Sequence, residues 1–204
     1  MKHLRQYIRQ ILLTEGIKTI EDIPEGVKVE IDEFGYRTDI NLSSSFDKTR
    51  FHKPYGTISI EEIDNEDKIG NCGGAWAIAM VTADQGWGPF LYDIAIEWAT
   101  QNANGLIADR SEVSSDARRV WAYYLNNRTD VTAHQLDDPF NYLTPEGEDN
   151  CDQEMAGGRH QMYGGERDRG SDWVDSPLSK RYTKPPTTIN ALKAAGKWDN
   201  RGES

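Results

Sequence analysis

The residues best placed to do chemistry are three in a row, Gly86-Trp87-Gly88, with Pro89 directly after them. Pro is tolerated in the first turn of a helix, where its missing N–H would have no partner, so this string reads as a turn feeding a helix N-terminus. Such a terminus presents unpaired N–H groups and the positive end of the helix dipole, which stabilises an anion without any basic side chain. Glycines let the backbone approach phosphates closely. The expected chemistry is the seating of a phosphate or pyrophosphate. A dinucleotide fingerprint is not complete here, because no third glycine follows at the required spacing.

Other reactive side chains are sparse. Asp109 falls at the end of a short apolar stretch and could act as a base alone or through water, or could pair with Arg110 or cap a helix. Cys72 has no histidine near it in sequence to support a nucleophile reading. The four histidines, His3, His52, His134 and His160, have no metal-ligand spacing, so no metal is expected. Cys72 and Cys151 are the only cysteines and form no CxxC, which supports neither a zinc site nor a disulfide framework and points to a reducing cytoplasm.

The elements that must position these residues follow from periodicity. Alternation predicts strands at 27–31 and 36–42, joined around Glu33-Phe34-Gly35, and a third at 57–63 after a polar loop at 43–56. Residues 74–81 are an almost unbroken apolar run of strand length, as expected for a strand covered on both faces. Leu91, Ile94, Ala95 and Trp98 then recur at helical spacing until Asn104-Gly105. A short strand at 106–108 leads to Ser114, a candidate cap for a helix whose Ala117, Val120, Trp121 and Tyr124 form one stripe. Further strands are expected at 131–136 and 179–183, with a short helix at 188–195 stopped by Gly196. Residues 144–172 are rich in Gly, Asp, Glu and Arg and read as a long polar excursion.

At 204 residues the chain suits one domain of roughly 150–190 residues plus tails. Six Trp, nine Tyr and five Phe are enough to fill an interior despite a clearly negative mean hydropathy. The net charge of −11 argues against a duplex-DNA binder, which needs a basic footprint. No stretch approaches the roughly 18 apolar residues of a membrane span.

The order of elements resembles the GNAT superfamily of N-acetyltransferases, and the likeness is sharpest from Ala75 to Tyr124. The strings Gly-Trp-Gly-Pro-Phe-Leu-Tyr-Asp-Ile-Ala at 86–95, Gly-Leu-Ile-Ala-Asp-Arg at 105–110 and Ser-Ser-Asp-Ala-Arg-Arg-Val-Trp-Ala-Tyr-Tyr at 114–124 are similar to a GNAT-like group encoded by tailed bacteriophages. The resemblance implies an α+β fold with a central mixed, mostly antiparallel sheet flanked by helices and splayed at an acyl-CoA site. It also implies acetyl-CoA as cosubstrate and an amine-bearing acceptor that attacks the thioester directly. Met80, Val81 and Thr82 would pair with the pantetheine arm, and Gly86, Trp87, Gly88, Pro89 and Phe90 would hold the pyrophosphate. Ala83 stands where the family's loop begins with Gln or Arg.

Carried over from the family, the acid that protonates the thiolate is a Tyr on the second helix. The stripe favours Tyr124; the family's spacing from Ala117 lands on Trp121, which cannot donate such a proton, so Tyr123 is kept beside it. The run 73–81 holds no acid where the family's base commonly stands, which leaves Asp109 for that role. Residues 1–15 form a basic amphipathic segment that reads either as a surface helix or as a leader. As a leader it resembles those of phage internal head proteins, with Leu13-Thr14-Glu15 fitting the cleavage pattern, and implies packaging in the capsid before delivery to the host cytoplasm. Residues 16–204 form the single GNAT-like domain. The competing reading is a GNAT fold without turnover, retained as a virion or host-binding protein.

Overall fold

The computed structural model describes residues 16–44, 55–63, 72–109, 113–137, 151 and 174–200. The leader expected at 1–15 and the excursion expected at 144–172, Cys151 apart, lie outside the described residues. Helices and strands mix as α+β. Among the described residues the sheet has eight strands: β1 (Val27–Glu33), β2 (Arg37–Ser44), β3 (Gly56–Glu62), β4 (Trp76–Ala83), β5 (Leu106–Ile107), β6 (Thr132–Gln135), β7 (Lys180–Thr183) and β8 (Trp198–Asn200). Their spatial order is β6-β7-β5-β4-β3-β2-β1-β8, antiparallel throughout except where β4 meets β5 and β1 meets β8. Among the described residues three α-helices accompany the sheet: α1 (Trp87–Asn102), α2 (Ser115–Asn127) and α3 (Thr187–Ala194).

Alternation builds the first three strands. Register places Val29 opposite Leu42, Ile31 opposite Ile40 and Ile40 opposite Ile58, and all of these side chains are fully buried. Such cross-strand apolar rows are the unit of sheet stability. The residues between them carry a polar ladder, in which Ser43 Oγ donates to Glu30 (2.8 Å), Asn41 Nδ2 to Asp32 (2.8 Å) and Thr57 Oγ1 to Asn41 (3.1 Å). One face is core and the other polar, as antiparallel sheets allow.

β4 departs from the expectation of a strand covered on both faces. Ala77 and Ile78 are buried, but Met80 is 49% exposed and Thr82 and Ala83 are exposed too. The cause is a change of partner: β4 pairs with β5 only through Trp76↔Leu106 and Ala77↔Ile107, and its last six residues run on without that neighbour. The pairing with β3 shifts at the same place. Ser59 faces Met80 while Ile60 faces Ile78, so Ala79 is an extra residue, a β-bulge. A bulge bends its strand and raises its twist, which turns β4 away from β5.

α1 contacts β2, β3, β4, β5, β7 and α3 and is buried almost all round. Its Glu97 is fully buried and meets Lys184, whose side chain is 1% exposed. The same carboxylate accepts from the backbone N–H groups of Thr188 (2.8 Å) and Ile189 (2.7 Å), the first turn of α3. Pro186 at the N-cap of α3 has no capping side chain, so Glu97 supplies from another helix the anion that a helix start favours. One turn earlier Asp93 accepts from Arg128 (3.2 Å), which also grips Asp130 through Nε (2.7 Å) and a second nitrogen (2.6 Å). That grip holds the Asp130 carboxyl down to about 2.

Cys72 and Cys151, 79 residues apart, form a disulfide. This corrects the expectation that the two cysteines form no disulfide framework. The bond is fully buried in a small second cluster with Ala75, Ala77, Ile107 and Leu136, on the strands where β4 and β5 still pair. Disulfides persist in oxidising surroundings, so the pairing also removes the ground for expecting a reducing cytoplasm. Among the described residues no helix is long and apolar enough to cross a membrane, and no group of three or more His, Cys, Asp or Glu could hold a metal ion.

Two outcomes follow from this packing. Glu97→Ala leaves buried Lys184 with only the more distant Asp130 (3.7 Å) as counter-ion and α3 uncapped, so urea denaturation will show a loss of about 3–5 kcal/mol, while replacing both Glu97 and Lys184 by Met will recover part of it. Alkylation of the denatured, unreduced protein will label neither cysteine, and breaking the cross-link will lower stability by about 2–4 kcal/mol.

Candidate active site

The divergence of β4 from β5 opens a cavity of about 240 Å³. Ile78, Ala79, Met80 and Val81 of β4 form one wall, and Ala117 and Trp121 of α2 the other. Tyr92 of α1 lines it from beneath, and Asp109, Val113 and Ser114 line it from the connection between β5 and α2. Ser114 is also the N-cap of α2, accepting from the N–H of Ala117 at 3.2 Å, as its sequence position suggested. Asp109 is the sole carboxylate among the described lining residues. A carboxylate in a cleft of mixed polar and apolar surface suits the capture of a cationic amine or of its proton.

β4 runs from this cavity through residues 84–86 into α1. Gly86 is the N-cap, with φ 89°, and the main chain needs glycine there: a Cβ would meet the Gly16 carbonyl oxygen at 2.0 Å. The loop is tied down by the Lys18 N–H, which donates to the Gly86 carbonyl at 3.0 Å. No side chain caps the start of α1 and no acidic residue lies in its first turn. At Gly88 a Cβ would meet nothing within 4 Å, so a ligand could approach that backbone closely. The Trp87 N–H is donated to the Asp84 carbonyl at 3.1 Å and Pro89 carries none, so an anion at this first turn would rest on the Gly88 N–H.

The expected site residues separate into two groups. Met80, Val81 and Asp109 line the cavity. Thr82 lies at the exposed end of β4, Gly86 and Gly88 at the start of α1. Trp87 and Phe90 are 4% exposed and packed ring to ring, Trp87 also against Tyr55, so their side chains belong to the core and only their backbone is available to a ligand. The Pro89 carbonyl is engaged by the Tyr124 hydroxyl.

Tyr124 is corrected as the proton donor. It is 1% exposed and does not line the cavity; its hydroxyl is 2.9 Å from both the Pro89 carbonyl oxygen and Asp93 Oδ1. Burial, then the Asp93 charge, push its ionisation well above the ordinary tyrosine range. Tyr123, half-buried with its ring 5.9 Å from that of Tyr124, does not line the cavity either. The helical stripe identified the core face of α2 correctly, and the core face here holds a hydroxyl that is already bonded.

Tyr92 is the cavity residue that the sequence reading passed over. Its ring lies edge-on to Trp121 at 5.3 Å. It stands off the stripe of Leu91, Ile94, Ala95 and Trp98, and an aromatic with a polar tip outside the core stripe was the available signal. Burial and the charge of Asp109 raise its ionisation far above the usual phenol range, which keeps it protonated at neutral pH.

With this geometry in place the chain was compared with known proteins: no family model, no curated protein and no solved structure matches it.

Proposed function

We propose that this chain is an acetyl-CoA-dependent N-acetyltransferase of GNAT-like fold, acting on an amine by direct attack on the thioester. The observation that carries the reading is the opening of the sheet between two parallel central strands at the Ala79 bulge, directly upstream of the glycine-led start of α1. A mixed, mostly antiparallel sheet splayed at this point is what the sequence resemblance implies for the family. The cosubstrate's chemistry matches the residues present. Its pyrophosphate suits the uncapped start of α1 at Gly86 and Gly88, and its amide-bearing arm suits the strand edge of β4 beyond Ala77, where β5 has turned away.

In this reading the amine nitrogen attacks the carbonyl carbon of the thioester. A backbone N–H of β4 near the bulge polarises the carbonyl oxygen, and the low-dielectric cleft strengthens that contact. Asp109 accepts the proton released by the attacking ammonium, directly or through one water. The carbon–sulfur bond then breaks and the thiolate leaves with the electron pair.

The alternative is a GNAT fold used for binding alone, in a virion or on a host target. The displacement of both expected tyrosines from the cavity favours it, and one set of measurements separates the two. Titration calorimetry will show acetyl-CoA binding, and a thiol assay will show CoA release with one or more members of a panel of alkylamines, polyamines and lysine peptides. Asp109→Asn will leave the cosubstrate affinity unchanged and lower kcat about 10²-fold or more. Absence of binding at millimolar acetyl-CoA would sink the enzyme reading; binding without release across the panel would favour the alternative.

A further inference from the structure

We propose that the Cys72–Cys151 disulfide is a redox-sensitive latch on the cavity: it fixes a left-handed turn from which β4 and β5 both start, and its reduction loosens the two strands where the cavity opens. The latch acts on the cavity whatever ligand the cavity takes, so it stands apart from the acyltransferase reading.

The turn is Cys72–Gly74, directly before β4, and its three residues have φ of 51°, 69° and 75°. Glycine adopts such angles freely, but Cys72 is the sole non-glycine residue with positive φ among the described residues. A Cβ at that position resists the conformation, and the bond to Cys151 holds it there. Asn104 grips the turn from the segment that leads into β5: its Nδ2 donates to the Gly73 carbonyl at 2.6 Å and its N–H to the Gly74 carbonyl at 3.1 Å. The carbonyl of the next residue, Gly105, accepts from the Trp76 N–H at 2.9 Å. One turn therefore sets the starts of both strands.

Little else holds this junction. β5 pairs with β4 at Trp76↔Leu106 and Ala77↔Ile107, and with β7 at Leu106↔Tyr182. The cysteines pack with Ala75, Ala77, Ile107 and Leu136 in a cluster separate from the main core, and two of those four partners are alanines with little surface to bury. Just beyond the last pair, Ile78 and Asp109 line the cavity. A dithiol reductant breaks the S–S bond, gives each sulfur one electron and one proton, and leaves as its own disulfide. Both cysteines are fully buried, so the reductant gains access through local opening of this small cluster. Cys72 is then free to leave the left-handed region.

Hydrogen exchange of the full chain, oxidised and reduced with dithiothreitol, tests the latch, with reduction confirmed by thiol count. Losing a cross-link favours the unfolded chain and speeds every amide that exchanges by global opening. A latch does more: amides of 76–81 and 106–109 will accelerate about tenfold or more beyond those of the β1–β2 pair, and will slow again on reoxidation with oxidised glutathione. Two double variants separate the turn from the cross-link. Cys72→Ala with Cys151→Ala will match the reduced protein, whereas Cys72→Gly with Cys151→Ala accepts positive φ and will keep the junction within about threefold of the oxidised protein. Equal acceleration at the junction and in the β1–β2 pair, or alanine and glycine variants that behave alike, would overturn the proposal.

Discussion

A strand inside a sheet satisfies its backbone on both edges, and among the described residues β4 has a neighbour on both edges only as far as Ala77. From there β5 turns away toward Asp109 while β4 continues to Ala83, and the bulge at Ala79 bends the longer strand further from its neighbour. Backbone N–H and C=O groups are obligatory hydrogen-bonding groups, so a strand edge left open in the middle of a sheet is a site for a ligand that carries amides of its own. The exposed Met80, the cavity behind it and the direction in which α1 starts all follow from this one divergence.

α1 has to be held firmly for such an opening to survive, since its Tyr92 lines the cavity and its start is where we propose the anion is seated. Apolar burial fixes its position. Its two buried or half-buried carboxylates, Asp93 and Glu97 one turn apart, tie it in addition to α2 through Arg128 and to α3 through Lys184 and the α3 backbone. Buried charges of this kind add less net stability than their attraction suggests, because desolvation opposes it, but leaving one unpaired is expensive. At the last β4–β5 pair, Ala77 and Ile107, the disulfide packs against both strands.

Much of this was legible in the sequence, because periodicity reports burial. The apolar stripes of α1 and α2, the alternation of β1 to β3 and the Gly-Trp-Gly turn each emerged close to where residue spacing put them. What stayed hidden depends on contacts between distant segments. β8 is three residues long, too short to show any period, and becomes a strand only because Val29 to Ile31 pair with it. Cys72 and Cys151, like Glu97 and Lys184, meet only once the sheet is assembled. The apolar run at 74–81 looks the same whether its far half is covered by another strand or left for a ligand. A stripe on α2 identifies Tyr124 as inward-facing, but it does not reveal that Asp93 and Pro89 are waiting for its hydroxyl, nor that the tyrosine lining the cavity is Tyr92, one helix earlier.

The most direct test of the claim that this divergence is the acyl-CoA site is amide hydrogen exchange with and without acetyl-CoA. The account predicts that saturating cosubstrate slows exchange in residues 78–82 of β4 and at Gly88, while the polar ladder of β1 to β3 is unchanged. Protection confined to other parts of the molecule, with the open edge of β4 exchanging as before, would contradict it.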